Sequence, residues 1–288
     1  MSDHNIVRKF DSLIDWINYS ENSRPWDGPE PTRESHPQEN QRGWHGEGVH
    51  KASDAYDLLR KGWPSGLAAL RKVMDCCRNL VCIESPQYTF TDAVEGSAPN
   101  IEAYLHGIPE DMHFMEQVQL DAPPTYLDVQ VDMTVSCHTT PTQCTWAGAV
   151  IFAAVEALHA QGCATGLLMS HTVRRLRKYQ VLCPIPRDLD MDSVAFLFTH
   201  PAALRTIVFS IMEHEPPEIR REFGFSRGQG YSTPCRMRAP GVDGVLSIAH
   251  ITSQFTDNPT YNVPVAQAML KSLVDTKFRS YMKDDEAW

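Results

Sequence analysis

The chain has 288 residues, 42% hydrophobic, 22% charged and 9% aromatic, and a net charge of −10. That composition excludes wholesale disorder and suffices for one large domain or two small ones. A body this acidic does not coat duplex DNA through a globally basic surface, and even its longest apolar run, Trp146–Leu158, is broken by Glu156 before it approaches the roughly 18 residues of a membrane span.

The first ten residues, MSDHNIVRKF, lack the apolar stretch and small-residue cleavage site of a signal peptide, so a cytoplasmic protein is expected, with no membrane partner. Its eight cysteines are then expected to be reduced. No CxxC pair exists among them, and neither a metal nor another cofactor is expected.

In chain order, Asn5 to Lys9 reads as a short strand and Leu13 to Ile17 as the start of a docking helix capped by Asp11. Residues 20–48 hold Pro25, Pro29, Pro31 and Pro37 among polar residues and read as a long loop. Two helical stretches, His50 to Lys61 and Leu67 to Cys82, flank a Gly62-Trp63-Pro64-Ser65-Gly66 turn and predict a helical hairpin. Tyr88 to Phe90 predicts a strand and Ile101 to His106 a short helix.

Tyr126 to Cys137 alternates apolar Leu127, Val129, Val131, Met133 and Val135 with polar residues, the pattern of a strand with one wet face. An apolar helix, Trp146 to Ala160, then leads to a strand at Ala164 to Val173, which together form a crossover unit. A second strand, Tyr179 to Ile185, makes a hairpin whose tip is rich in arginine. Pro201 kinks or divides the helical stretch from Met191 to His214, residues 224–244 read as a loop, Val245 to Thr252 as a last strand, and Val265 to Met282 as a terminal helix. The fold class expected is α/β, a mixed β-sheet with packed helices and not an OB fold. Three regions follow: a docking helix and Pro-rich loop at 1–48, a helical hairpin at 49–86, and an α/β core with an acidic tail at 87–288.

Charge is unevenly placed. Residues 171–180 carry Arg174, Arg175, Arg177 and Lys178 with no acid, and residues 219–238 carry five arginines against Glu222, so the remainder of the chain stands at −18. The second segment interleaves Arg220, Arg221 and Arg227 with Phe223, Phe225 and Tyr231, which suits phosphate contact combined with base stacking. It suits equally a surface loop whose phenylalanines tuck into the core and whose arginines pair with Glu218 and Glu222. The tail ends in Asp284, Asp285, Glu286 and Trp288, an acidic tip with an apolar last residue that can dock a partner. Walker A, GxSxG, HExxH and dinucleotide fingerprints are missing. A thiol or metal site built from Cys137, His138 and His171 with Asp128 or Asp132 ranks behind ordinary packing roles for those residues.

Trp44-His45-Gly46, the stretch from Ala55 to Gly66 ending in GWPSG, and Leu189 to Phe196 running into His200-Pro201-Ala202-Ala203-Leu204-Arg205 carry a resemblance to an uncharacterised family of bacteriophages and actinobacterial mobile elements. These motifs are structural in type and speak for kinship more than for activity. Size, docking helix, acidic tail and mixed layout are also similar to the Drc-like single-stranded-DNA-binding RNA polymerase cofactors of podoviruses. That resemblance implies cooperative binding to single strands, with self-association, and action beside a phage RNA polymerase in an infected bacterial cell.

The function expected is thus a non-enzymatic, phage-type single-stranded-DNA-binding regulator of transcription or replication. Arg174, Arg175, Arg177, Lys178, Arg220, Arg221 and Arg227 would meet phosphates, and Phe223, Phe225 and Tyr231 would stack on bases. The alternative is an interaction or scaffold protein of a phage or mobile element, and a cysteine or zinc enzyme comes third.

Overall fold

The computed structural model describes residues 5–22, 42–78, 88–96, 98–109, 112–117, 126–160, 163–186, 191–225 and 231–275. Its contacts divide the chain into a large unit, Met1–Val81 with Tyr126–Trp288, and a small unit, Cys82–Thr125. Residues 87–125, grouped with the core on sequence, therefore belong to a unit of their own.

The large unit opens with strand β1 (Ile6–Lys9) and helix α1 (Leu13–Asn22). Ser12, rather than Asp11, caps α1: its hydroxyl accepts from the Asp15 N–H at 3.1 Å and donates to the Asp15 carboxylate at 2.7 Å. After the short α2 (Arg42–His45) come α3 (Ala52–Lys61) and α4 (Pro64–Arg78). The Asp54 carboxylate accepts the backbone N–H groups of His50 and Lys51 ahead of α3, and Pro64, whose missing N–H costs nothing in a first turn, opens α4.

In the small unit, β2 (Tyr88–Ala93), β3 (Ala98–Pro99) and β4 (Met112–Gln117) form an antiparallel sheet in the order β2-β4-β3. Between β3 and β4 lies α5 (Ile101–Leu105), capped by the Asn100 side chain, which accepts from the Ala103 N–H at 3.1 Å.

Back in the large unit, β5 (Tyr126–Asp132) and β6 (Ala164–Arg174) are adjacent and parallel, joined by the 20-residue α6 (Pro141–Ala160). β6 turns back into the antiparallel β7 (Lys178–Ile185), and β1 lies parallel beside β7. Next come α7 (Met191–Thr199), an 80° break, a π-helical turn over Ala203–Val208, α8 (Phe209–Glu213) and α9 (Pro217–Phe223). The Gly224 cap of α9 is left-handed at φ 70°. Two-residue β8 (Thr233–Pro234) pairs with the end of β6, and β9 (Gly244–Ser247) runs parallel to β5. The chain expected to continue as strand after Ser247 instead turns into α10 (Ile248–Thr252), and α11 (Pro259–Asp275) follows.

The sheet thus runs β1-β7-β6-β5-β9 with β8 on β6. It is mixed, open and not closed into a barrel, the α/β class expected. Val129, Val131, Met169, Val173, Val181 and Cys183 project from one face into a core shared with α1, α4, α6 and α7. The opposite face is polar, and of the residues expected to be wet there Gln130, Asp132 and Thr134 are buried and Asp128 is half-buried. Gln130 donates to Ser170 Oγ at 2.8 Å and to the Met237 carbonyl at 2.8 Å, and accepts from the Ala239 N–H at 2.7 Å. Gln180 donates to Thr172 Oγ1 at 3.1 Å and to the same Met237 carbonyl. Residues 235–243 therefore cover this face, with Ala239 and Val242 packed on Leu182. Among the described residues, no single helix is long and apolar enough to cross a membrane.

Candidate basic surface at the end of the central hairpin

β6 and β7 are paired to their last residues, Arg174 opposite Lys178, so the turn between them is only Arg175-Leu176-Arg177. A short turn on a long ladder is stiff. Arg174, Arg175 and Leu176 are exposed, and Leu176 is the most exposed large apolar residue among those described, at 87%. Arg177 and Lys178 lean back onto the fold. Arg177 grips Glu222 of α9 through two bonds, Nε to Oε1 at 2.6 Å and a terminal nitrogen to Oε2 at 2.8 Å. The Lys178 ammonium donates to the Arg236 carbonyl at 2.8 Å.

Arg175 also reaches α9, donating to the carbonyls of Arg221 and Glu222 at 3.3 Å each. These are the free carbonyls of a helix C-terminus, where a cation is favoured. The two basic segments, 45 residues apart in sequence, are thus joined at α9. They supply unequal charge to that surface. Glu222 neutralises Arg177, Arg220 donates to the Glu213 carbonyl at 3.4 Å, and Arg221 folds back on the Pro217 carbonyl at 3.2 Å. Arg174 and Arg175 meet no carboxylate among the described residues.

The aromatic residues require a correction. Phe223, Phe225 and Tyr231 are buried, not displayed. Phe223 and Phe225 stack at 5.3 Å and both pack on Tyr179 of β7, at 5.6 and 5.0 Å, while Tyr231 lies flat on Phe209 at 4.2 Å. The Tyr231 hydroxyl donates to Glu213, and Ser232 to the Phe223 carbonyl. Tyr231 and Ser232 are left-handed, at φ 50° and 66°, a strained backbone for residues with side chains, held by these contacts. A ring with both faces in a core gives a base no platform. Arg227 and the tail residues Asp284, Asp285, Glu286 and Trp288 lie outside the described residues.

The residues of the thiol or metal alternative do not assemble into one cluster. Cys137 and His138 are exposed on the loop before α6, and Asp128 pairs through its backbone with Asp243, at 2.7 Å from its N–H to the carboxylate. Asp132 and His171 do meet, through Thr134. Its hydroxyl donates to Asp132 Oδ1 at 2.6 Å, accepts from the Thr172 N–H at 2.8 Å and lies 3.2 Å from His171 Nδ1. His171 Nε2 is buried with no hydrogen-bond partner among the described residues. Burial raises the Asp132 carboxyl to about 7 and lowers the His171 imidazole to about 3. Among the described residues no group of three His, Cys, Asp or Glu is placed to hold a metal ion.

The motifs that carried the family resemblance converge on the break after α7. A Cβ on Gly46, at φ 88°, would stand 2.7 Å from the His200 ring, and one on Gly66 would stand 1.8 Å from the Trp63 ring, which is set edge-on to His200 at 4.6 Å. His200 Nε2 donates to the Glu47 carbonyl at 3.0 Å. The Arg205 guanidinium lies 3.9 Å over Trp44 and donates to the carbonyls of Trp44 and Thr139 at 2.8 and 2.9 Å. Nearby, His45 Nδ1 meets Thr206 Oγ1 at 2.9 Å. Each motif holds another in place, which is a packing role. No curated protein and no solved structure matches the chain. One family model does, over residues 2–273, and the chain therefore belongs to the family described as domain of unknown function DUF7192.

Proposed function

We propose that the protein is a non-enzymatic interaction protein, of a phage or mobile element, whose contact element is the arginine-flanked end of the β6–β7 hairpin. The observation that carries this reading is Leu176, 87% exposed at the outermost point of a stiff hairpin and preceded by Arg174 and Arg175, which meet no carboxylate among the described residues. A hairpin end kept for solubility alone has no use for a leucine there. One apolar knob between cations fits a partner with a hollow rimmed by acids. Arg177, Lys178 and α9 hold the knob in place without occupying it.

Affinity isolation of the tagged protein from cells of its source tests this reading. Wild type is expected to recover a defined partner in constant proportion, and Leu176→Asp to lose it while melting at an unchanged temperature. Equal recovery by both would contradict the proposal.

A second reading, binding of single-stranded DNA beside a phage RNA polymerase, is favoured by the same two exposed arginines. It rests on phosphate contact alone. A fluorescent oligo-dT of about 30 nucleotides, longer than the usual site of about 4 to 16, should then bind at low salt and weaken steeply as salt rises. Arg174→Glu with Arg175→Glu should lower that affinity about ten-fold or more, a change of about 1.4 kcal/mol. No binding at low salt removes this reading.

A further inference from the structure

We infer that the small unit carries the docking face for this hairpin end, supplied by a second copy of the chain. The inference rests on the proposal that the hairpin end is the contact element, and names its partner.

Ten large apolar residues are conspicuously exposed among those described, and five of them fall between residues 94 and 108: Val94, Ile101, Tyr104, Leu105 and Ile108. Leu105 is 74% exposed, second only to Leu176. α5 buries just Ala103 beneath it, so a five-residue helix turns nearly all its apolar side chains outward. Clustered apolar exposure of this kind marks a contact surface more often than scattered single residues do.

Its charge identifies the occupant. From Asn79 to Val173 the sequence contains no lysine or arginine, while the small unit alone carries eight acids, Glu84, Asp92, Glu95, Glu102, Glu110, Asp111, Glu116 and Asp121. Glu95 and Glu102 are exposed beside the apolar cluster. An apolar face edged by acids, with no lysine or arginine to repel a cation, is the complement of a leucine set between arginines. The same chain presents both halves.

Because the two halves are different surfaces, the contact is heterologous: one copy's hairpin end enters the next copy's small unit, and association proceeds head to tail. A single knob buries far less than the roughly 1,200 Å² of a standard interface, so the contact is weak, concentration-dependent and weakened by salt.

Sedimentation velocity on the full chain tests this with two variants. Leu176→Asp spoils the hairpin end and leaves the face intact, and Leu105→Glu does the reverse. Wild type is expected to grow in mean mass up to about 100 µM at low salt, in the range where weak contacts populate. Each variant alone is expected to remain monomeric, and an equimolar mixture to form dimers and nothing larger, since each dimer then holds one intact contact and two spoiled ends. A monomeric wild type, or a monomeric mixture of folded variants, overturns the inference. If that happens while affinity isolation still recovers a partner that Leu176→Asp loses, the hairpin end remains a contact element and only the identity of its partner falls. Loss of both results removes the contact element as well.

Discussion

Asp132 and His171, tied together by one threonine hydroxyl, pull the pH dependence of stability in opposite directions. Burial lifts the Asp132 carboxyl from 3.8 to about 7, so the folded chain keeps a proton that the unfolded chain releases, and this group's contribution falls as pH rises through that window. Burial lowers His171 from 6.5 to about 3, so the unfolded chain binds a proton that the folded chain refuses, and this contribution falls as pH drops from 6.5. His200, lowered by burial to about 4, acts in the same sense as His171. The slopes offset one another where the windows overlap. Asp132→Asn removes one side of the balance, and its melting temperature is expected to climb more steeply than that of wild type between about pH 4.5 and 6.5. Parallel melting profiles for the two proteins would refute the assignment. Gly66 offers a second test at this scale. A methyl group there meets the Trp63 ring, and Gly66→Ala is expected to cost about 1 to 3 kcal/mol in urea unfolding, the usual range for overpacking.

Among the elements, the hairpin separates Arg177, which holds the fold, from Arg174, whose side chain bonds nothing described. Arg177, paired twice with the half-buried Glu222, fastens the hairpin to α9, and Arg177→Ala is expected to lower the denaturant midpoint of unfolding. Arg174→Glu should stay within about 0.5 kcal/mol of wild type, because its side chain is exposed and bonds nothing described. Equal costs for the two would contradict this division of roles. The hairpin itself was legible, since strands at 164–173 and 179–185 leave only a short basic turn between them. Its connection to α9 was not, because strand periodicity says nothing about which distant helix end receives an arginine. Phe223, Phe225 and Tyr231 show the same limit. Aromatics interleaved with arginines have one composition whether they stack on bases or clasp a core, and it is Tyr179 and Phe209, brought in by the fold, that decide for the clasp. The alternation in β5 marked the strand but not its cover, which comes from Met237 and Ala239, more than 100 residues further on.

At the scale of the molecule, the proposed contact rests on the uneven distribution of charge. The net −10 conceals a stretch of 95 residues, 79–173, without a lysine or arginine, ending where the arginine-rich turn begins. That boundary is plain in the sequence, yet a survey of basic segments passes over it, since it is an absence of lysine and arginine and not a cluster of them. The exposed α5 face was hidden for another reason: Ile101, Tyr104 and Leu105 read as an ordinary short helix until its packing is known. The measurement that tests the central claim most directly is photo-crosslinking from position 176. With a benzophenone amino acid in place of Leu176 and, as control, in place of the exposed Lys61, irradiation in source cells should give a discrete adduct from 176 alone, lost when Arg174 and Arg175 are both changed to Glu. Adducts of equal yield from the two positions, or none from 176, would contradict the claim that the hairpin end is the protein's contact element.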